Sequence, residues 1–284
     1  MRPSRLERGL ALLVTMAILL AIFLPVAWMV ISSVSPREEL LATPPHWIPE
    51  RIDLQHYTDI LFPASDADDV ALTFRAALLN SIQVGLLVTF IGLLFAIPAG
   101  YALARIPIRG ARITITLILA TRMLPAISTV IPLYLVAATL GLLDTKAVLV
   151  VLYLSFVLPF AVWILSGFFA SVPKEVEEAA MIDGAGRVRT LVAVVLPVAL
   201  PGVAATAIFS FLLSWDEFFF PLIFTSTRDS KMVPVAISEF TGRHAVDFGA
   251  MATGGVLAAI PVVIIALLFN KLIVSGLTAG SVKE

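Results

Sequence analysis

KEVEEAAMIDGAGRVRTLVAVVLP, residues Lys174–Pro197, is a stretch with a polar, charged front half, set between long apolar runs. Its start is marked by Pro173, with Glu175, Glu177 and Glu178 just behind. Proline suits the first turn of a helix, and carboxylates favour its positive end. Asp183-Gly184-Ala185-Gly186 then interrupts the pattern, because glycine permits a sharp turn that other residues resist. A second short helix, Arg187–Val195, is expected to stop at Leu196-Pro197. The reading is two short helices at an angle, projecting away from the apolar segments around them. Such a shape suits a groove on a partner, with Ala179 and Ala180 allowing close approach and Glu178 free for an ion pair. A helix lying flat on lipid usually has a basic polar face, and this one starts acidic.

The surroundings explain why a projecting element is needed. Of 284 residues, 60% are apolar and 14% charged, against about 45–50% and about 25% in soluble domains. That excludes a disordered chain. With no cysteine, a disulfide-stapled domain, a thiolate metal site and a cysteine nucleophile are excluded too. A net charge of -1 gives no sign of nucleic-acid binding. The excess of apolar residues points to an all-α integral membrane protein.

A membrane span needs about 20 mostly apolar residues. Six stretches qualify: Leu10–Ser32, Ala76–Leu103, Ile113–Leu140, Ala147–Ala170, Pro201–Thr225 and Gly249–Ile273. The alternation of a membrane barrel is missing, so helices remain. Arg2, Arg5 and Arg8 precede the first span, but its apolar run exceeds a signal peptide's core and reads as a retained anchor. With the amino terminus inside, 11 basic residues fall on inner segments and 7 on outer ones, with Arg122 inside a span. Both termini are therefore expected to be cytoplasmic. The outer segments are 34–75, with a rigid Thr43-Pro44-Pro45-His46-Trp47-Ile48-Pro49, and a loop near 226–248; the inner 171–197 holds the opening stretch. No internal repeat is evident, and residues 1–284 read as one membrane domain.

Glu178-Ala179-Ala180, Gly184, Val194 and Leu196-Pro197 together resemble the EAA loop of binding-protein-dependent ABC importer permeases, which usually has isoleucine at the place of Val194. Pro49 with Asp53-Leu54-Gln55-His56-Tyr57, Asn80-Ser81, Ser214-Trp215-Asp216-Glu217-Phe218-Phe219-Phe220-Pro221-Leu222 and the tail Ser275–Lys283 are similar to carbohydrate importers of the maltose type. The resemblance implies the six-helix type I importer permease fold in a bacterial or archaeal plasma membrane. It implies pairing with a homologous permease, two ATP-binding subunits and an extracytoplasmic solute-binding protein, with a di- or oligosaccharide, a polyol or a glycerol-phosphate-like solute as cargo. Coupling to the ATP-binding subunits would fall to Glu178, Ala179, Ala180, Asp183, Gly184 and Ala185. ATP and Mg would sit on those subunits, since Gly249 and Gly254 have phosphate-loop spacing but Gly255 stands where lysine is needed.

Arg122, Asp216 and Glu217 are placed within predicted spans, where each charge costs about 2.5–3.5 kcal/mol at the centre. Either Arg122 pairs with one of the two carboxylates, or these residues line a solute path, or they meet the companion permease. Trp215 or Phe220 would then stack on a sugar face. As proton carriers, Asp216 and Glu217 would instead make an ion-coupled transporter. Nine prolines lie in or beside the spans, and Pro125 and Pro132 are expected to kink the third beside the path. His46, His56 and His244 sit at unrelated spacings and read as solvated loop residues, with no metal site. No catalytic motif is present, so an enzyme is not expected.

Overall fold

The computed structural model describes residues 5–43, 46–62, 69–241 and 247–279. In chain order the helices are α1 (Arg5–Ser33), α2 (Arg37–Leu40), α3 (Gln55–Leu61), α4 (Asp69–Arg105), α5 (Ala111–Ala120), α6 (Ala126–Thr139), α7 (Lys146–Ser171) and α8 (Lys174–Ile182). They continue as α9 (Arg187–Thr190), α10 (Leu196–Val198), α11 (Leu200–Trp215), α12 (Phe219–Phe224), α13 (Val233–Glu239) and α14 (Phe248–Ala279). Among the described residues there is no strand.

Four helices, α1, α4, α7 and α14, are long and apolar enough to span a membrane; six spans result if each of two bent pairs counts as one. The third span is one of these pairs, bent by 88° between Ala111–Met123 and Ala126–Thr139. The expected proline kink is therefore a full break. Pro125 cannot donate a backbone hydrogen bond and pushes Leu124 into extended geometry, ψ 122°. Pro132, inside α6, does not interrupt it.

Span five departs further from the expected Pro201–Thr225. Its helix α11 ends at Trp215 and α12 restarts at Phe219, so Asp216 and Glu217 lie in a break rather than in a helix. The break is stabilised from within: Glu217 Oε1 accepts the backbone N–H of Phe219 (2.8 Å) and Phe220 (3.1 Å), donors at the start of α12 that have no partner within the helix. The second helix of the inner 171–197 segment also differs from expectation. It does not stop at Leu196-Pro197 but runs through a π-helical segment, Leu191–Val195, to Val198, then turns by 81° into α11. Pro197 clashes with the carbonyl four residues back, and a widened π turn upstream relieves that clash without ending the helix.

The chain divides into two compact units, Met1–Arg75 with Ala236–Ile260, and Ala76–Val235 with Pro261–Glu284. In the first, Ser33 is buried, its hydroxyl 2.8 Å from Tyr57 Oη, and its carbonyl accepts Thr253 Oγ1. Phe74 and Phe240 meet at 5.6 Å over Gly254, where an added Cβ would come within 3.0 Å of Phe240. Pro44, Pro45 and His244 fall outside the described residues.

The second unit is organised around α7. Leu149, Tyr153, Val157, Ala161, Leu165 and Phe169 recur every fourth residue and all are fully buried. That is a ridge of the kind that interlocks with neighbouring helices, and α5, α11 and α12 lie against α7. Among neutral groups, Tyr153 Oη and Ser210 Oγ are buried without a hydrogen-bond partner.

Candidate functional site

The break in span three and the break in span five open onto one cavity of about 720 Å³ in the second unit. Arg122 reaches it from the 3₁₀ turn Thr121–Met123, Glu217 from the gap before α12, and Phe220 from the first turn of α12. Arg122 Nη1 donates to the carbonyl of Phe156 at 2.8 Å, and its guanidinium carbon lies 5.8 Å from the ring centres of both Phe156 and Phe160. A guanidinium has five N–H donors, and this is the one hydrogen bond from Arg122 seen among the described residues. No ion pair joins Arg122 to Asp216 or Glu217 among the described residues. The opposite charges instead line one space, together with Thr129 and Ser155, whose hydroxyls donate to the carbonyls of Ala126 and Leu152 and so offer the cavity acceptor lone pairs. Phe156 and Phe220 stack nearly parallel, 9° apart with centroids at 6.2 Å, and add an apolar wall.

The other residues read from sequence fall elsewhere. Asp216 is exposed and lines a separate cavity of about 280 Å³, shared with Glu217. Trp215 is 3% exposed and stacks on Phe211, so inside this chain its ring faces a core neighbour rather than the large cavity. His56 belongs to the first unit, where its Nε2 is 3.7 Å from Asp247 Oδ1.

At the far end of α7 the segment after Ser171 forms two helical pieces, α8 and the run that begins with α9, joined by a turn at Asp183–Gly186. Gly184 has φ +84°, the left-handed turn that favours glycine. Glu178, Ala179, Asp183 and Gly184 are exposed, Ala180 and Ala185 half-buried, and Ile182 and Val188 stand in the open at 86% and 77% exposure. Glu177 behaves differently from its neighbour. It is buried, and its carboxylate meets Arg105 Nε at 2.6 Å and accepts from Tyr101 Oη at 3.1 Å. Sequence reading missed this role, because nothing in Glu175-Val176-Glu177-Glu178 marks which glutamate turns inward.

A second missed group is Asp144, in the loop between α6 and α7, held in the left-handed region at φ 59°. Its Oδ1 accepts the backbone N–H of Ser226 (2.8 Å) and Thr227 (3.0 Å) and the hydroxyl of Ser230. Asn80 Nδ2 donates to the carbonyls of Arg228 and Lys231, both at 3.0 Å, so the 226–231 loop is pinned from two sides. Desolvation pushes the Asp144 pKa up, but the bonds from Ser226, Ser230 and Thr227 outweigh it and hold the carboxyl well below the usual carboxylate range. A depressed folded pKa gives stability that is present above the unfolded value near pH 4 and lost as pH falls toward the folded one. Asp144→Asn, which keeps the left-handed preference, is expected to cost about 1 kcal/mol at pH 7, a low figure because water reaches the site. Thermal unfolding of the detergent-solubilised protein checks this, and the gap from wild type should narrow below about pH 4.

The chain is thus a helical membrane protein with two broken spans, a cavity at the breaks that carries two opposite charges on a largely apolar wall, and an exposed helical loop. The chain belongs to the family described as binding-protein-dependent transport system inner membrane component, whose model matches residues 72–279. It is 37% identical over 286 residues to the trehalose/maltose transport system permease protein MalG of Thermococcus litoralis, covering 100% of this chain and 99% of the relative. It is 38% identical over 212 residues to the trehalose transport system permease protein SugB of Mycobacterium tuberculosis, 74% of this chain and 77% of the relative. A chain of a bacterial ABC transporter involved in the import of the acidic polysaccharide alginate shares the fold, with a TM-score of 0.79 at 23% identity over 95% of this chain and 99% of that one. The protein is thus a multi-pass membrane transport subunit.

Proposed function

We propose that this chain is one permease half of an ATP-driven importer of a di- or oligosaccharide in a bacterial or archaeal plasma membrane, with both termini cytoplasmic and the whole chain acting as one permease domain. The observation that carries the reading is the 37% identity, over the entire chain, to a trehalose/maltose permease. The large cavity supports it. Arg122 and Glu217 carry opposite charges there, so the walls suit a neutral solute rich in hydroxyls better than a phosphorylated one, and the Phe156–Phe220 pair offers a sugar an apolar face. A homologous permease would supply the other half of the path, and an extracytoplasmic solute-binding protein would deliver the sugar. The apolar outer faces of α1, with Leu12 70% and Phe23 62% exposed, would be covered by lipid or by that companion.

Two ATP-binding subunits would hydrolyse ATP with Mg and dock on Glu178, Ala179, Ala180, Asp183, Gly184 and Ala185, with Ile182 and Val188 as the apolar contacts. This chain would bind neither ATP nor a metal and would do no chemistry. The test is reconstitution of the chain with its companion subunits and binding protein in liposomes. Uptake of trehalose or maltose that requires internal ATP is expected. Uptake by this chain alone, driven by a proton gradient, would overturn the reading.

A further inference from the structure

The docking helix α8 is anchored as well as exposed. Arg105, the last residue of α4, sends Nε to Glu177 Oε1 at 2.6 Å and donates through Nη2 to the carbonyl of Val172, just past the end of α7. Tyr101, one helical turn earlier, donates to the other carboxylate oxygen of Glu177 at 3.1 Å and meets Phe169 of α7 edge-on. The Arg105 and Glu177 side chains are only 6% and 9% exposed. One guanidinium and one carboxylate therefore tie three helix ends together. Glycine turns bracket this region: Gly110 follows α4 at φ +85° and Gly184 follows α8 at φ +84°. Each marks a place where the chain turns and the tied body ends.

A buried ion pair gains little net stability over a well-packed apolar replacement, so stability alone is a weak reason for this one. We propose that Arg105, Glu177 and Tyr101 form a clamp that makes α8 move as one body with the ends of α4 and α7. A displacement at the exposed docking face would then be passed to two spans at once. Glu177 acts through Arg105 and Tyr101 and is a positioning residue. The inference rests on the reading that α8 docks the ATP-binding subunits.

The experiment uses the full complex in liposomes with Glu177→Gln, with Tyr101→Phe, and with the paired change Arg105→Met and Glu177→Leu, which fills the site with apolar volume. The readout is ATP hydrolysed per sugar taken up, beside the amount of assembled complex. The clamp predicts wild-type assembly for the paired variant, with that ratio rising about tenfold or more in it and in Glu177→Gln, and about threefold in Tyr101→Phe. Hydrolysis and uptake falling by the same factor, or an unchanged ratio, would overturn the clamp. So would loss of assembly in all three, which is the signature of a purely structural bolt. Failure of the docking reading would show in the wild-type complex, as no ATP-dependent uptake at all.

Discussion

Uptake through a complex carrying Gly184→Asp is expected to fall at least about a hundredfold, equivalent to about 2.8 kcal/mol of lost coupling, while the protein still reaches the membrane. Gly184 sits at the tip between α8 and α9 with φ +84° and no heavy atom within 4 Å of where a Cβ would stand. The fold has room for a side chain, and aspartate tolerates the left-handed region better than most residues. The substitution therefore changes little inside this chain. It adds a second carboxylate beside Asp183 at the surface expected to enter a groove, where an unpaired buried charge is costly. Gly184→Asn has the same backbone tolerance without the charge and should lose far less. Glu178→Lys, on the exposed face of α8, should match Gly184→Asp. Normal transport in both charged variants, measured as binding-protein-dependent sugar uptake, would remove this loop from the coupling path.

The contrast between Glu177 and Glu178 also shows what a sequence conveys about this molecule. Spans made of one continuous apolar run, such as α1 and α7, are legible because hydropathy adds residue by residue and needs no knowledge of neighbours. The helix–turn–helix of the 171–197 segment is legible because proline, clustered carboxylates and glycine act locally on the backbone. Neighbouring residues on a helix point about 100° apart, so which of two adjacent glutamates is buried depends on Arg105, far away in the chain. The broken spans fail to show for a similar reason. Pro125 announces a bend, but a proline alone does not specify its size, here 88°. At Asp216 and Glu217 the apolar run continues through Phe218, Phe219 and Phe220, and only the Glu217 bonds to Phe219 and Phe220 show that the helix stops and starts again. The same break moves Glu217 into the cavity of Arg122 and leaves Asp216 outside it. Asp144 went unread because a lone aspartate in a short loop looks solvated until its three donors are in view.

That shared cavity makes Arg122 the residue whose loss should most change what is carried. Its guanidinium is held by the Phe156 carbonyl and by two aromatic rings, and the residue lines the cavity proposed above for the solute. Arg122→Ala removes its donors and leaves a sugar hydroxyl unpaired in a partly apolar chamber, a loss of about 1–3 kcal/mol for the ligands that use it. Ligands that do not reach Arg122 escape the penalty. Uptake of a preferred disaccharide relative to a smaller sugar is therefore expected to change by about tenfold or more, equivalent to about 1.4 kcal/mol. Arg122→Lys keeps the charge but not the fork of donors, and should fall between the two. Glu217→Gln keeps an oxygen to cap α12 and tests the carboxylate's charge separately from its structural role. Competition uptake with two labelled sugars gives the ratio directly. If every sugar declines by one factor, matching the decline in assembled complex, Arg122 is a bundle residue and the solute travels elsewhere.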